Sequence, residues 1–130
     1  MHHSIKFLIF TLILLSINSS GFAQKKINNT LECSWIEKDL GKVQIGDSRK
    51  CKLILKNISS EPITVEYVIT SCKCVSAIIN RHKIPPQKNT QIKIKFDSSG
   101  KNIGETYQSL FIKTSDTHIY NFSLSAEIIQ

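Results

Sequence analysis

Two cysteines separated by a single residue, Cys72-Lys73-Cys74, are the pair in this sequence best placed to do chemistry. Thiols so spaced support three states: an internal disulfide, two free thiols open to redox exchange, or a two-thiolate clamp on one soft ion such as Cu(I) or Zn(II). In a regular strand, residues i and i+2 share a face with Cα atoms roughly 6.5–7 Å apart, the outer limit for a disulfide. A bond there needs a turn. Two thiolates leave a tetrahedral zinc site incomplete, and the nearest helper in the chain is His82, a lone loop histidine. Lys73 favours the thiolate, although in an extended segment its side chain projects to the opposite face. A structural role for the pair comes first, with redox exchange and soft-metal capture as rivals; no other cofactor is expected.

Cys33 and Cys51 complete the set of four. In a small exported domain four cysteines are first a disulfide framework. Cys33 and Cys51 lie on the apolar phase of neighbouring strands, which predicts a Cys33–Cys51 bond, with burial as two free thiols the alternative. Other reactive constellations are missing. There is no Cys-x-x-Cys, no supported Ser/His/Asp set, no paired carboxylates in a plausible cleft and no Gly-rich phosphate loop. The expectation is therefore a protein that is not an enzyme.

The elements that must position these thiols read as strands. Leu31, Cys33 and Trp35 form one short alternating run, and Gly41 and Gly46-Asp47 bracket an edge piece, Lys42 to Ile45. From Arg49 to Asn57, Cys51, Leu53 and Leu55 share one face and Lys50, Lys52 and Lys56 the other, the period of a half-buried strand. Ser59-Ser60-Glu61-Pro62 breaks it. Ile63, Val65, Tyr67 and Ile69 then alternate inward up to the cysteine pair, and Val75 to Ile79 forms a further strand. Pro85-Pro86 removes two ladder donors, so 80–89 is a loop. Thr90 to Asp97, Glu105 to Thr114 and His118 to Ile129 follow, the last two joined at hairpin length by Ser115-Asp116-Thr117. About seven short strands at roughly ten-residue spacing predict an all-β, immunoglobulin-like antiparallel β-sandwich.

Residues 1–23 predict a signal peptide. Lys6 precedes an uncharged apolar run from Phe7 to Leu15 that is too short for a span of about 20 residues, and Gly21 and Ala23 suit cleavage before Gln24. No cysteine follows to carry a lipid. The domain plan is thus a signal peptide over 1–23, a linker over 24–30 and the sandwich over 31–130, exported to the periplasm or beyond, with no membrane span after cleavage. Seventeen basic against ten acidic side chains give a net charge of +7. The lysines look spread along solvent faces, where they discourage edge-to-edge pairing; without interleaved aromatics or a helical reader they do not predict nucleic-acid binding. Loose attraction to anionic cell-surface polymers is the better use of the charge.

Asp39-Leu40-Gly41, Gly46, Leu53-x-Leu55-x-Asn57, Pro62-Ile63, Ser71-Cys72-Lys73-Cys74, Pro85-Pro86, Ile92-x-Ile94-x-Phe96-Asp97 and Gly104 stand in an order and spacing that resembles the domain-of-unknown-function 1573 family. That family is common in exported proteins of Bacteroidetes-type bacteria and related in fold to Hydin-type and major-sperm-protein-type immunoglobulin-like modules. The chain departs from it at Lys73 and Gln87, where the family usually has Gly, and at Leu40, where Phe is usual. The resemblance implies the sandwich and export, and no established activity. The expected role is a non-enzymatic binding or structural module that engages another envelope or cell-surface protein; a thiol-redox or soft-metal protein using Cys72 and Cys74 is the alternative.

Overall fold

The computed structural model describes residues 24–130, and the signal peptide expected over 1–23 lies outside them. Among the described residues ten strands form two five-stranded sheets: β1 (Lys25–Lys26), β2 (Leu31–Cys33), β3 (Glu37–Gln44), β4 (Ser48–Asn57), β5 (Ile63–Thr70), β6 (Val75–Ile79), β7 (Lys83–Ile84), β8 (Asn89–Asp97), β9 (Gly104–Thr114) and β10 (Ile119–Ile129). The first sheet runs β1-β2-β4-β8-β6 and the second β3-β10-β9-β5-β7. This is the predicted immunoglobulin-like sandwich. Two differences stand out: β3 pairs in parallel with β10, and the expected linker over 24–30 contains β1, which pairs antiparallel with β2.

The core lies between the sheets because the strands alternate as their sequences require. Leu53, Leu55, Ile92, Ile94 and Phe96 point in from one sheet and Leu110, Ile112, Phe122, Leu124 and Ile128 from the other, each almost wholly excluded from water. Trp35 stands where the chain leaves the first sheet for the second. Its indole N–H donates to the Lys52 carbonyl at 2.8 Å, and its ring meets Phe122 edge-on at 6.0 Å.

β5 corrects the sequence reading. A bulge between Val65 and Tyr67 inserts Glu66 into the pairing with β9, and one extra residue reverses the faces of everything after it. Ile63 and Val65 point inward as expected, whereas Tyr67 and Ile69 are exposed. The lysines are also less scattered than their spacing suggested. Lys50 lies opposite Lys95 and Lys52 opposite Lys93, gathering four like charges on the outer face of the first sheet.

Among the described residues two turns carry a non-glycine residue in the left-handed region. Pro85 to Lys88 is closed by the Lys88 N–H donating to the Pro85 carbonyl at 3.1 Å, with Pro86 second and Gln87 third at φ 64°. That is the type II arrangement, which prefers Gly at the third position, and it accounts for the family's glycine where this chain has Gln87. In the β9–β10 hairpin Thr117 sits at φ 70° where a three-residue loop favours Gly. Gln87→Gly and Thr117→Gly should each raise stability in chemical denaturation by about 1 kcal/mol, the cost of holding a side chain in that region; a loss on both substitutions would show that the neighbouring contacts outweigh the backbone.

Candidate functional site

The cysteine pair occupies the crossing between the sheets, where β5 of the second sheet hands over to β6 of the first. Cys72 to Val75 is a β-turn closed by the Val75 N–H donating to the Cys72 carbonyl at 3.1 Å. The turn brings the Cys72 and Cys74 Cα atoms to 5.1 Å, and their sulfurs are joined. Extended backbone would have held them too far apart. Lys73 has no positive φ, so the turn does not demand the glycine usual in the family. Flanking bonds fix the turn on both sides: Thr70 Oγ1 donates to the Cys72 carbonyl at 3.1 Å, Ser71 N–H to Ser109 O at 2.9 Å and Asp97 N–H to Cys74 O at 2.8 Å.

Two donors converge on one sulfur. The Cys74 N–H lies 3.1 Å from Cys72 Sγ, and Lys101 Nζ lies 3.5 Å from the same atom. Lys73, the lysine adjacent in sequence, is exposed; the cation beside the sulfur comes instead from the β8–β9 loop. That loop is rigidly tied. Ser98, fully buried, donates its hydroxyl to Asp47 O at 2.6 Å, with Gln44 O the second acceptor in reach at 3.0 Å. Ser98 to Lys101 is itself a turn, with the Lys101 N–H donating to Ser98 O at 3.1 Å and Gly100 at φ 74°. Cys72, Cys74, Asp97, Ser99, Gly100 and Lys101 line a shallow open depression. Nothing local in the sequence signalled Lys101, because its partner stands 29 residues earlier.

The Cys33–Cys51 bond expected from the sequence is not made; both thiols are free. Register is the reason. Cys33 pairs with Leu55, four residues along β4 from Cys51, which at about 3.4 Å per residue is twice the reach of a disulfide. Burial pushes both thiols above the ordinary cysteine value, with Lys25 and the Trp35 backbone opposing it at Cys33 and Lys38 at Cys51. His82, the proposed metal helper, is engaged at the far end of β5, its Nδ1 2.9 Å from the Val65 carbonyl. Among the described residues no group of three or more His, Cys, Asp or Glu side chains gathers at one point.

The strand leaving the turn is itself exposed. β6 pairs with β8 on one side and ends the first sheet. The bonds Asp97 N–H to Cys74 O and Asn80 N–H to Gln91 O set the ladder phase, so Ser76 and Ile78 face β8 and the backbone groups of Ala77 and Ile79 point away from it. Ile78 is 69% exposed. The other edges are defended. β1 is only Lys25–Lys26. β3 carries Lys38, Asp39 and Lys42 and is interrupted where its register with β10 shifts. β7, which ends the second sheet, is only Lys83–Ile84, and β5 beside it is interrupted by its bulge and tied at Val65, whose N–H donates to the His82 carbonyl at 2.8 Å. β6, Val-Ser-Ala-Ile-Ile, has no charge, proline or bulge.

Known proteins of the same architecture carry diverse roles. A crystal structure of a Porphyromonas gingivalis W83 protein of unknown function superposes with a TM-score of 0.65 at 19% identity, covering 75% of this chain and 46% of that one. The chain therefore spans under half the length of that relative. The PapD-like domain 7 of human CEP192 matches at 0.65 and 11% identity, over 82% of this chain and 89% of the domain. The Acinetobacter baumannii CsuC–CsuE chaperone–tip adhesion subunit pre-assembly complex matches at 0.58 and 13% identity, over 75% and 56%. At these identities the likeness concerns the fold. No curated protein matches the sequence. The family of proteins of unknown function DUF1573 matches residues 31–128, nearly the whole sandwich, and the chain belongs to that family.

Proposed function

We propose that this chain is an exported, non-enzymatic binding module of the bacterial envelope, acting in the periplasm or outside the cell. It captures an extended, uncharged segment of another envelope or cell-surface protein by adding it as a strand beside β6. The observation that carries this reading is the undefended β6 edge in a chain whose other edges are short, charged or bulged. An exposed, regular edge with unpaired backbone groups is a liability unless a partner uses it. The apolar segment at Phe7 to Leu15 supports export. The fold is shared with a chain of a chaperone–tip adhesion subunit pre-assembly complex, which supports a role in protein–protein contact.

The test starts from a protein captured by the chain from an envelope extract of its own cell, narrowed to a synthetic peptide. Binding should slow amide exchange at Ala77 and Ile79. Ala77→Pro removes a donor that points away from β8, so it should leave the sandwich folded and weaken the peptide at least about tenfold; Ile78→Lys, a charge on the edge, should act in the same direction. A peptide that binds both variants normally, and protects the exposed Tyr67, Ile69 and Ile119 face instead, overturns the reading.

A further inference from the structure

We infer that Cys72 and Cys74 form a two-electron thiol–disulfide exchange site, with Cys72 as the leaving sulfur and Lys101 as its positioning cation. The inference stands independently of the strand-edge reading. A disulfide that serves only to staple a fold closes a long loop, because the entropy it removes from the unfolded chain grows with loop length. This one spans a sequence separation of 2, inside a turn already closed by Val75 N–H to Cys72 O and anchored by Asp97 N–H to Cys74 O. It adds little that the backbone has not done.

The surroundings suit chemistry better than stapling. Both cysteines are half-buried rather than sealed, and the depression they line is open. The two donors on Cys72 Sγ, the Cys74 N–H at 3.1 Å and Lys101 Nζ at 3.5 Å, both stabilise negative charge there. A thiolate so placed is the better leaving group. Cys74 Sγ has neither donor, so the two sulfurs are inequivalent.

The substrate class is a dithiol, on a partner protein or as a small molecule. One thiolate of the dithiol attacks Cys74 Sγ; the Cys72–Cys74 bond breaks, and its electron pair leaves on Cys72 beside Lys101. The mixed disulfide at Cys74 is then attacked by the second thiolate of the same dithiol, which closes the partner's disulfide and releases Cys74. Two electrons and two protons have passed to the pair and the partner is oxidised; in the reverse sequence a partner disulfide takes them back, is reduced to its dithiol, and the Cys72–Cys74 bond closes again.

The test equilibrates the protein with graded dithiothreitol and, separately, with graded glutathione, then traps thiols by alkylation and maps Cys72 and Cys74 by mass. Circular dichroism and the melting temperature of each state are recorded alongside. Reversible two-electron reduction with the β-spectrum retained and a melting shift under about 5 °C is the expected result. Reaction with dithiothreitol alone shows that the second thiolate of a dithiol is needed to complete the exchange, and reaction with both admits monothiols as well. Lys101→Gln should slow the opening step by roughly threefold to tenfold and raise the pH at which Cys72 ionises, followed by thiolate absorbance; Lys101→Arg should restore both. Cys72→Ser/Cys74→Ser, folded but inert, is the blank. Reduction achieved only as the sandwich unfolds, or a Lys101→Gln protein with unchanged rate and ionisation, overturns the inference.

Discussion

Asn57→Ala is expected to destabilise the sandwich by about 3 kcal/mol, measured as a fall in urea midpoint with an unchanged slope. Asn57 ends β4 and has no exposed surface, an unusual place for an amide unless every polar atom is used. It is. Nδ2 donates to the Ile84 carbonyl at 2.9 Å and to the Glu61 carbonyl at 2.7 Å, while Oδ1 accepts from the Ser59 N–H at 2.9 Å and hydroxyl at 2.6 Å. The backbone completes the clasp: the Asn57 N–H donates to Lys88 O and the Gln87 N–H to Asn57 O. One side chain therefore holds the 58–61 loop and the Pro85-Pro86 turn against the strand. Alanine removes the amide's bonds to the Ile84 and Glu61 carbonyls and to Ser59, each about 0.5–1.5 kcal/mol, and with them the contacts that order the 58–61 loop. In a domain of this size the melting temperature should drop by more than about 10 °C. A loss below about 1 kcal/mol would show that water replaces the amide.

That residue also marks how far the sequence could be read. Asn57 stood in the pattern that revealed the family, yet the pattern alone gave it no job, since its partners Glu61 and Ile84 stand 4 and 27 residues on. Strands with strict alternation, such as Thr90 to Asp97, were legible because a two-residue period needs no distant information. The face of Tyr67 and Ile69 was not, because a bulge is a property of the pairing between β5 and β9 rather than of β5 itself. The same limit applied to the cysteines. Phase placed Cys33 and Cys51 on the core side correctly, but only register could show that Leu55 stands opposite Cys33. At Cys72 and Cys74 the sequence posed the right alternatives. The turn that joins them, the Lys101 ammonium beside one sulfur and the open backbone of β6 all arise from contacts between segments distant in the chain.

Phe122→Ala should have the largest effect of any single truncation considered, about 3–5 kcal/mol. The ring is 1% exposed and lies on β10, whose neighbours are β9 on one side and the parallel β3 on the other. Its loss opens a ring-sized void between the sheets and also removes the edge-on contact with Trp35, a further 0.5–1.5 kcal/mol in typical aromatic pairs. Trp35 is the hinge of the strand switch: its indole is pinned to Lys52 O at 2.8 Å, and just past it β3 begins its parallel ladder with β10, the Ser123 N–H reaching Ile36 O at 2.9 Å. The damage should therefore be directional. Amide exchange in Phe122→Ala should accelerate first in β2, β3 and the intervening residues 34–36, while β8 stays protected longest under mild denaturant. Domains of this size hold only about 5–15 kcal/mol in all, so the variant should sit near its unfolding threshold at 37 °C. Phe122→Leu, which refills most of the void without the edge-on ring, separates the two contributions: recovery of more than half the loss assigns it to cavity, and less than half assigns it to the Trp35 contact that locks the crossing strand.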